Sequence, residues 1–435
     1  MTVLKKKINK PILIYIDAQP RDLLVAQLLK YILQKNNFSV LLVSRTTYAK
    51  ILYLIRPSLY LVIKNFFKNF EANVMDSIKK SDVHVIDAEG AMSEERVEFH
   101  YTHFGIQLNR TLAIVKYAYL WNQSFSNYLQ KKSMIDDQRV RVLGSSKLSL
   151  GKYLCKRRKP TKKIGFVGRF SATNDFMKRS SLFTTIDRMR NKDVYIKGAI
   201  GELEVLNIYL LQIKRIISET DLNVSIRPHP NENFESWKLL EEMYGDRVTI
   251  SPAKEDFLEW VGSIDKIITT PSTSMIEPIL YNIPVICIDR ITGFTTHKYY
   301  EEMLDGFLNA TIRPRSEEDL FQAILEESNK MPTKDETFKE DINRYYNVNE
   351  TEGYDSFETI CDNILKEYQP GTFNKLSLFI YFIPYYLINA YEWFKIKMFR
   401  KNEMFYHYNY LSEEFSKKRD EISMQIQDKL KNTIK

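Results

Sequence analysis

The sequence predicts an α/β fold with two doubly wound domains that face a cleft, followed by a helical C-terminal tail. Short runs of leucine and β-branched residues show little alternation with polar residues, which is typical of strands buried on both faces of a parallel sheet. Helical patterns, with apolar residues three and four positions apart, separate these runs. The alternation of strands and helices occurs twice along the chain, and two successive α/β series imply two domains.

The first series predicts an N-terminal domain over residues 1–155. Between its first two strands, residues 23–32 carry apolar side chains at helical spacing, and a second helix is predicted over Asn122–Lys131. The predicted strands are Ile12–Ile16, Val40–Val43, Leu59–Ile63, Val83–Ile86 and Val140–Leu143.

The second series predicts a C-terminal domain over residues 160–368. The charged segment Gly151–Lys163 contains a proline and has the composition of an interdomain linker. The predicted helices after it are Glu202–Ser218, Phe234–Tyr244 and Ser274–Tyr281. The predicted strands are Ile164–Val167, Asn223–Arg227, Val248–Ser251, Lys266–Thr270 and Val285–Ile288.

Composition restricts the class of protein. The chain has 435 residues, of which 44% are hydrophobic, enough to bury the cores of two domains. Its three cysteines are widely separated, which argues against a disulfide framework or a zinc site and fits a reducing compartment. The formal net charge of +8 suits anionic partners such as phosphates or an acidic membrane surface. Basic residues are dispersed and no nucleic-acid motif occurs, so nucleic acid is not an expected partner.

Missing motifs exclude several kinds of enzyme. The sequence contains no P-loop, no GxGxxG fingerprint, no HExxH and no GxSxG. These absences argue against hydride transfer, P-loop hydrolysis and zinc proteolysis. Asp-x-Asp, the metal-chelating motif of metal-dependent sugar transferases, is also missing, so neither a metal nor a separate cofactor is expected. The basic N-terminus leads into a strand without a secretory signal pattern, which predicts a cytoplasmic protein.

A histidine between two prolines follows a predicted strand of the second domain. Arg227-Pro228-His229-Pro230 lies at the carboxyl end of that strand, the edge where open α/β sheets bind ligands. The prolines stiffen the loop, and a histidine held there can donate to a phosphate and stabilise charge on a departing nucleotide. Arg227, His229 and Pro230 are therefore candidate nucleotide-binding residues, and His229 is also a candidate catalytic residue. The structural alternative is a histidine that only caps a turn.

Hydroxyl side chains end another strand of the same domain. Ser272, Thr273 and Ser274 follow the strand Lys266–Thr270 and open the next predicted helix. Hydroxyls and backbone N–H groups at a helix N-terminus suit a phosphate, although serine and threonine also cap helices elsewhere. Glu277, one turn later, is a candidate partner of ribose hydroxyls, or else it only compensates the helix dipole.

An acidic loop follows a strand of the first domain. Asp87-Ala88-Glu89-Gly90 comes directly after Val83–Ile86, and either carboxylate could act as a general base. Acidic turns are frequent in proteins, so the interest of this loop lies in its position. A cleft between the domains would bring an acceptor-side base to the donor-side phosphate loops. Asp87 and Glu89 are therefore both candidate catalytic bases.

At these three motifs, the sequence resembles the bacterial surface-carbohydrate biosynthesis proteins and, more distantly, the bacterial sialyltransferases, polysialyltransferases and Kdo transferases. The resemblance extends thinly over residues 11–329. It implies a GT-B architecture of two Rossmann-like domains and a CMP-activated acidic sugar as donor. It also implies that the acidic loop supplies the base and that His229-Pro230 and the Ser272–Ser274 hydroxyls bind the CMP phosphate. Because Ala88 occupies the first acidic position of the family motif, either neighbouring carboxylate remains a candidate.

This resemblance predicts an inverting, metal-independent glycosyltransferase of capsule or lipopolysaccharide assembly. The Arg-Pro-His-Pro sequence also resembles the CDP-glycerol glycerophosphotransferases of teichoic-acid synthesis, which would transfer a polyol phosphate instead. Two further classes remain open, namely a nucleotide-sugar epimerase and a non-catalytic membrane scaffold of polysaccharide assembly. A transferase releases nucleotide only when the acceptor is present, an epimerase acts without an acceptor, and a scaffold does neither.

Residues 369–435 differ in character from the two domains. Leu376–Tyr391 is apolar and aromatic but shorter than the roughly 20 residues that a membrane span needs, and it contains Pro384. Aromatic residues followed by cations are typical of a helix on a membrane surface. We therefore expect association with the inner face of the cell membrane and a glycan or lipid-linked glycan acceptor. The alternative is a helix pair packed across both domains. The cations in question are Lys395, Lys397, Arg400 and Lys401.

Overall fold

A computed structural model of the chain confirms the predicted α/β class with parallel sheets and divides the chain into two compact units. The first unit comprises Met1–Leu150 and Ile342–Lys435, and the second comprises Gly151–Asp341. The structure describes residues 5–17, 19–44, 47–64, 78, 80–88, 94–95, 98, 113–132, 135–155, 160–174, 192–229, 232–251, 255–292, 298–326, 334–347, 355–371, 381–391, 394, 422–428 and 430.

The first unit contains a six-stranded parallel sheet with the order β3-β2-β4-β5-β6-β7. Every residue of β2, β3 and β4 is buried, which explains why their sequences do not alternate with polar residues. The strands of this unit are β1 Lys6–Ile8, β2 Ile12–Ile16, β3 Val40–Ser44, β4 Leu59–Lys64, β5 Asp82–Asp87, β6 Val115–Leu120, β7 Val140–Val142 and β13 Tyr368–Pro370. Its helices are Gln19–Lys35, Tyr48–Ile55, Gln123–Lys131 and Ser356–Glu367, and residues 381–391 are also helical.

The second unit contains a five-stranded parallel sheet with the order β10-β9-β8-β11-β12. Its strands are β8 Lys163–Val167, β9 Asn223–Arg227, β10 Val248–Ile250, β11 Lys266–Thr269 and β12 Val285–Cys287. Its helices are Lys192–Glu219, Phe234–Tyr244, Phe257–Val261, Ile276–Leu280, Lys298–Asn309 and Glu317–Leu325. Helices Ser146–Leu154 and Glu336–Tyr346 cross the two boundaries between the units.

The segment predicted as an interdomain linker is helical over its first residues. Helix Ser146–Leu154 includes Gly151, which lies so close to the ring of Tyr281 that a Cβ would overlap the ring. This approach explains why a glycine occurs inside a helix, and it shows that the start of the segment is packed rather than free.

The chain returns to the first unit after Asp341, whereas the sequence predicted one domain over residues 160–368. Helix Ser356–Glu367 packs on helix Gln19–Lys35, and β13 pairs in parallel with β1. Helix Ser356–Glu367 was not predicted from the sequence, and a local pattern contains no information about which unit receives its buried face. The observed boundary therefore differs from the predicted one.

A polar network joins β13 to the main sheet of the first unit. The Tyr368 hydroxyl donates to Asp82 Oδ2 over 2.8 Å and lies 3.0 Å from Nε2 of His84. Because that hydroxyl proton points to Asp82, Nε2 of His84 is the donor of the second bond. His84 is fully buried, and this burial lowers its pKa to about 3. Lys6 and Lys116 also bond to Asp82, so the carboxylate is held by two cations and a hydroxyl.

We expect Tyr368→Phe to destabilise the first unit by about 1–3 kcal/mol, because His84 and Asp82 each lose a buried hydrogen-bond partner. Urea unfolding followed by circular dichroism measures the change. Tyr386→Phe removes a hydroxyl from a tyrosine that is 62% exposed and serves as the matched control. Equal unfolding midpoints for the two variants would contradict a stabilising role of the network.

Candidate functional site

Three strand-end loops of the second unit meet at one cavity. They follow β8, β9 and β11, which are adjacent in the sheet, so their carboxyl ends lie side by side. The cavity has a volume of about 220 Å³. The two loops that the sequence predicts as phosphate sites therefore border the same space. The lining residues are Val167, Gly168, Arg169, His229, Thr269, Ser272, Thr273 and Ser274.

Arg169 brings a cation to this cavity that sequence reasoning missed. Its Nη1 donates to the carbonyl of Pro271 over 2.7 Å, which joins the loop after β8 to the loop after β11. Gly168-Arg169 directly follows strand β8, and this position at a strand end was the only indication in the sequence that Arg169 could belong to a site. A single arginine carries no motif of its own, and only the strand order reveals that it lies beside His229 and the serine loop.

The buried carboxylate of Glu232 fixes two of the three loops. It accepts from the backbone N–H groups of Phe170 and His229 over 3.0 and 2.9 Å, and from Nε1 of Trp237 over 2.8 Å. A Cβ on Gly168 would lie 2.6 Å from the same carboxylate, so this position needs a glycine. Burial raises the pKa of Glu232, while the three N–H donors lower it and stabilise the charged form.

Aromatic packing holds the loop after β8 against the sheet. The ring of Phe170 is buried and lies 5.7 Å from the ring of Tyr209 and 5.6 Å from that of Trp237. The Tyr209 hydroxyl donates to the carbonyl of Val167 over 3.2 Å, at the end of β8. These contacts hold the backbone at Arg169 in place. Less conformational entropy is therefore lost when a ligand binds there.

His229 lies on the cavity wall, where its side chain is exposed to solvent. Partial desolvation by the surrounding protein atoms is the main cause that lowers its pKa to about 4, and the positive charge of Arg169 is the second. The imidazole is therefore neutral at pH 7 in this structure. It carries one N–H donor and one acceptor nitrogen in that form. Pro230, the other predicted residue of this loop, lies outside the described residues.

The serine loop after β11 is ordered by its own hydroxyls. Ser272 caps the turn Thr273–Met275 by accepting from the backbone N–H of Ser274 over 3.3 Å. The Ser274 hydroxyl lies within hydrogen-bond distance of the hydroxyls of Ser272 and Thr269. The following helix, Ile276–Leu280, is short, so the hydroxyls rather than a helix dipole are the useful groups here.

Of the described side chains, Arg227 and Glu277 are predicted site residues that do not line this cavity. Arg227 is buried, donates to the carbonyl of Glu255 over 2.6 Å and also bonds to Ser251. It therefore ties β9 to the segment after β10, and its role toward a nucleotide stays a prediction. Glu277 lies in the first turn of the short helix that follows the serine loop.

In the first unit, Asp87 ends β5 and is almost completely buried. Lys64, the last residue of β4, is its partner in the sheet, and the register of β2 continues the row to Asp17. A buried lysine therefore lies between two buried aspartates at the carboxyl edge, and buried lysines are rare unless paired. Sequence reasoning missed Lys64 and Asp17, because only the strand register brings them into one row. Glu89 lies outside the described residues, so the identity of the base stays a prediction.

Metal-ligating side chains do not cluster in the part of the chain that the structure describes, where no group of three or more could hold an ion. The three cysteines are buried and form no disulfide. Burial raises the pKa of the Cys287 and Cys361 thiols, which makes them poor nucleophiles. The thiols therefore serve as packing groups.

A second carboxylate, that of Glu202, holds the loop that carries Arg169. It accepts from the backbone N–H groups of Ala172 and Thr173 over 3.0 and 3.1 Å. Burial raises its pKa to about 7, although these hydrogen bonds act in the opposite direction. The loop is therefore fastened by a group that titrates near neutral pH.

Known structures include several with this fold. The wall teichoic acid polymerase TagF matches with a TM-score of 0.52 and 13% sequence identity, over 82% of this chain and 89% of the TagF chain. A TagF variant soaked with CDPG gives a TM-score of 0.51 and 13% identity, over 82% of this chain and 88% of that one. A UDP-N-acetylglucosamine 2-epimerase has 15% identity over 85% of this chain and 100% of its own, with a TM-score of 0.49.

These similarities to TagF show the fold alone, which is an α/β fold of the GT-B type, as the sequence resemblance implied. No protein-family model matches the sequence, and no curated protein matches it.

We expect Glu202→Gln to weaken the pH dependence of stability. Between pH 4.5, the ordinary pKa of the group, and about 7, the folded chain keeps a proton that the unfolded chain has released. This contribution to stability is complete below pH 4.5 and is lost as the pH rises through about 7. The variant should therefore gain thermal stability relative to the wild type between pH 5 and pH 8, as measured by differential scanning calorimetry.

Glu204→Gln changes an exposed carboxylate on the same helix and is the matched control. Parallel pH profiles for the wild type and Glu202→Gln would show that this carboxyl does not titrate in that range.

Proposed function

We propose that the chain is a transferase of bacterial cell-surface polymer assembly that takes its donor group from a cytidine nucleotide. The observation that carries this proposal is the convergence of Arg169, His229 and the Ser272–Ser274 hydroxyls on one cavity. A guanidinium, an imidazole and hydroxyls are donors that bind phosphate oxygens in proteins. Their arrangement at three adjacent strand ends is that of ligand sites in open α/β sheets.

Arg169 supplies the positive charge for the phosphate. A guanidinium carries five N–H donors in a planar fork, so it can hold the carbonyl of Pro271 and contact an anion as well. Serine and threonine hydroxyls rotate to donate toward an oxygen on the opposite side of the cavity. The site thereby neutralises a nucleotide phosphate without a divalent metal.

His229 stabilises the departing nucleotide in this proposal. Its imidazole is neutral before the ligand binds, and the negative charge of the bound donor phosphate raises the imidazole pKa because opposite charges favour the charged form. The protonated ring then donates to the oxygen on which negative charge develops as the bond to the donor group breaks. Binding of the donor therefore sets the protonation state that its own departure requires.

The choice of a cytidine nucleotide rests on the resemblance of the Arg-Pro-His-Pro and serine motifs to families that use CMP or CDP donors. The fold that the chain shares with TagF, for which a structure soaked with CDPG exists, agrees with this choice. The preferred donor is a CMP-activated acidic sugar such as Kdo or a sialic-acid-like sugar. Asp87 or Glu89 would take the proton of the acceptor hydroxyl, and the glycosidic carbon would be inverted in a single displacement.

A second candidate is the transfer of a polyol phosphate from a CDP-polyol, which the Arg-Pro-His-Pro resemblance and the TagF fold favour. Both reactions release CMP, so nucleotide release does not distinguish them. Sugar transfer breaks the glycosidic C–O bond and leaves no phosphorus in the product. Polyol phosphate transfer breaks the P–O–P linkage and adds one phosphate to the product, which ³¹P NMR of the purified polymer detects.

The acceptor in this proposal is a growing surface polysaccharide, either free or linked to a lipid. A lipid-linked acceptor would place the enzyme at the inner face of the cell membrane. Among the described residues, no helix has the length and apolar character needed to cross a bilayer.

CMP and CDP should raise the thermal unfolding midpoint more than UDP, GDP or ADP, because a ligand of the folded state stabilises it by mass action. Arg169→Gln should weaken CMP binding roughly 10- to 100-fold, the effect expected for a lost charge-assisted hydrogen bond. Isothermal titration calorimetry measures the affinity.

Arg215→Gln is the control, since it removes a hydrogen-bonded guanidinium from a helix of the same unit away from the cavity. Equal increases of the unfolding midpoint with all nucleotides would contradict the preference for cytidine. Unchanged CMP affinity in Arg169→Gln would contradict the assignment of this cavity as the nucleotide site.

His229→Ala should lower the rate of CMP release roughly 100-fold while leaving the fold intact, because the departing nucleotide loses its proton donor. The assay offers CMP-Kdo, CMP-N-acetylneuraminic acid or CDP-glycerol as donor, with a lipid-linked glycan extract as acceptor and EDTA present throughout.

Asp87→Asn and Glu89→Gln are compared in the same assay. The base should lose turnover with little change in CMP affinity, since it acts on the acceptor hydroxyl. Full activity of a folded His229→Ala protein, or a need for added magnesium or manganese, would refute this mechanism.

A further inference from the structure

Residues 381–391 form a helix of the first unit that is apolar on two faces. Its inner face packs on the hydrophobic core through Tyr381, Phe382, Tyr385 and Ile388. The Tyr385 hydroxyl also donates to the carbonyl of Leu42 in β3 over 2.9 Å, which fixes the helix on the sheet. A helix that is apolar all round is normally buried all round, so the outer face requires an explanation.

The outer face is a continuous apolar stripe. Its residues follow one another at intervals of three and one, the spacing of a single helical face. All of the large ones are more than half exposed. The stripe consists of Ile383, Tyr386, Leu387, Ala390, Tyr391 and Phe394.

A second helix of the same unit lies beside residues 381–391 and also exposes apolar side chains. Helix Tyr48–Ile55 exposes Tyr53 and Leu54, at 65 and 50%. A groove of about 180 Å³ lies between the two helices, so they are direct neighbours. The groove is lined by Ile51, Leu54, Ile55, Tyr381, Pro384 and Tyr385. We call the two exposed residues of this helix and the stripe together the aromatic face.

Positive charges border the aromatic face. Lys50 Nζ lies 5.4 Å from the ring centre of Tyr391, and the Arg56 guanidinium lies 5.6 Å from that of Tyr53. Residues 47–56 and 381–391 contain no aspartate or glutamate. In the sequence, residues 392–401 contain one acid, Glu392, and four further cations, at positions 395, 397, 400 and 401. An apolar surface with a rim of cations is complementary to a bilayer that carries anionic headgroups.

We propose that the aromatic face docks on the surface of an anionic membrane, with both helices lying flat on it. Tyrosine and phenylalanine insert at the headgroup level, and Lys50 and Arg56 contact the lipid phosphates. The inference deepens the proposed function and rests on it, because membrane docking is useful to the enzyme only if the acceptor is linked to a lipid. Its physical basis, however, is the exposed surface and not the chemistry of the cavity.

Vesicle flotation of the full-length protein tests the proposal. Vesicles of phosphatidylcholine with 30% phosphatidylglycerol should carry the wild type to the top of the gradient, and pure phosphatidylcholine vesicles should carry much less. Tyr53→Ser with Leu54→Ser, and separately Tyr386→Ser with Leu387→Ser, should each weaken binding roughly 10-fold or more, because two apolar side chains no longer leave water. Lys50→Gln with Arg56→Gln should reduce the preference for the anionic vesicles.

The matched control is Leu239→Ser with Met243→Ser, which removes two exposed apolar side chains from helix Phe234–Tyr244 of the second unit. This control should float like the wild type, and all variants should keep the wild-type thermal midpoint.

Failure of the wild type to bind anionic vesicles would overturn the proposal. It would also be overturned if analytical ultracentrifugation showed that the aromatic face joins two copies of the chain and that its variants are monomers. The flotation contains no nucleotide, so neither result bears on the CMP affinity that tests the proposed function.

Discussion

The candidate site depends on one buried carboxylate. Glu232 accepts hydrogen bonds from backbone N–H groups of two different strand-end loops and from the indole of Trp237. A carboxylate in such a position is stable only when its donors are in place, so removing any of them costs far more than a hydrogen bond between exposed groups. A substitution in the cavity lining is therefore tolerated only if the backbone N–H groups that donate to Glu232 stay in place. Gly168 expresses the same constraint, because any side chain there would displace the carboxylate.

The two units use charge at their sheet edges in different ways. In the second unit, Arg169 and His229 border an open cavity, and Glu232 behind them is buried. In the first unit, Asp17, Lys64 and Asp87 are all buried in one row at the ends of adjacent strands. Because the signs alternate along the row, attraction between neighbouring positions can offset part of the cost of burying three charges. The first arrangement suits binding of an anion from solution, and the second suits holding a carboxylate in one position.

The sequence was sufficient for the strands and helices with strong patterns. Strand Asn223–Arg227 and helix Phe234–Tyr244 have the predicted bounds. The buried β-branched run predicts the strand, and the amphipathic repeat predicts the helix. Strand β6 was not predicted, because Lys116 and Tyr117 are half-buried and interrupt its apolar pattern. Arg169 lines the cavity and Arg227 bonds to Ser251 because of the order of the strands in the sheet. No local sequence pattern encodes strand order, so neither contact could be predicted. The return of the chain to the first unit after Asp341 was missed for the same reason.

That return makes the first unit discontinuous, with consequences for its synthesis. Strand β1 pairs with β13, and the register places Lys6 opposite Tyr368. During synthesis, Tyr368 leaves the ribosome hundreds of residues after Lys6, so this pair can form only late. The second unit is continuous and can complete its core as soon as its own residues have emerged. A contact between such distant segments also carries a high loop-closure cost before it contributes stability. The first unit is therefore completed after the second, and a ribosome that stalls before residue 370 leaves the first unit without β13.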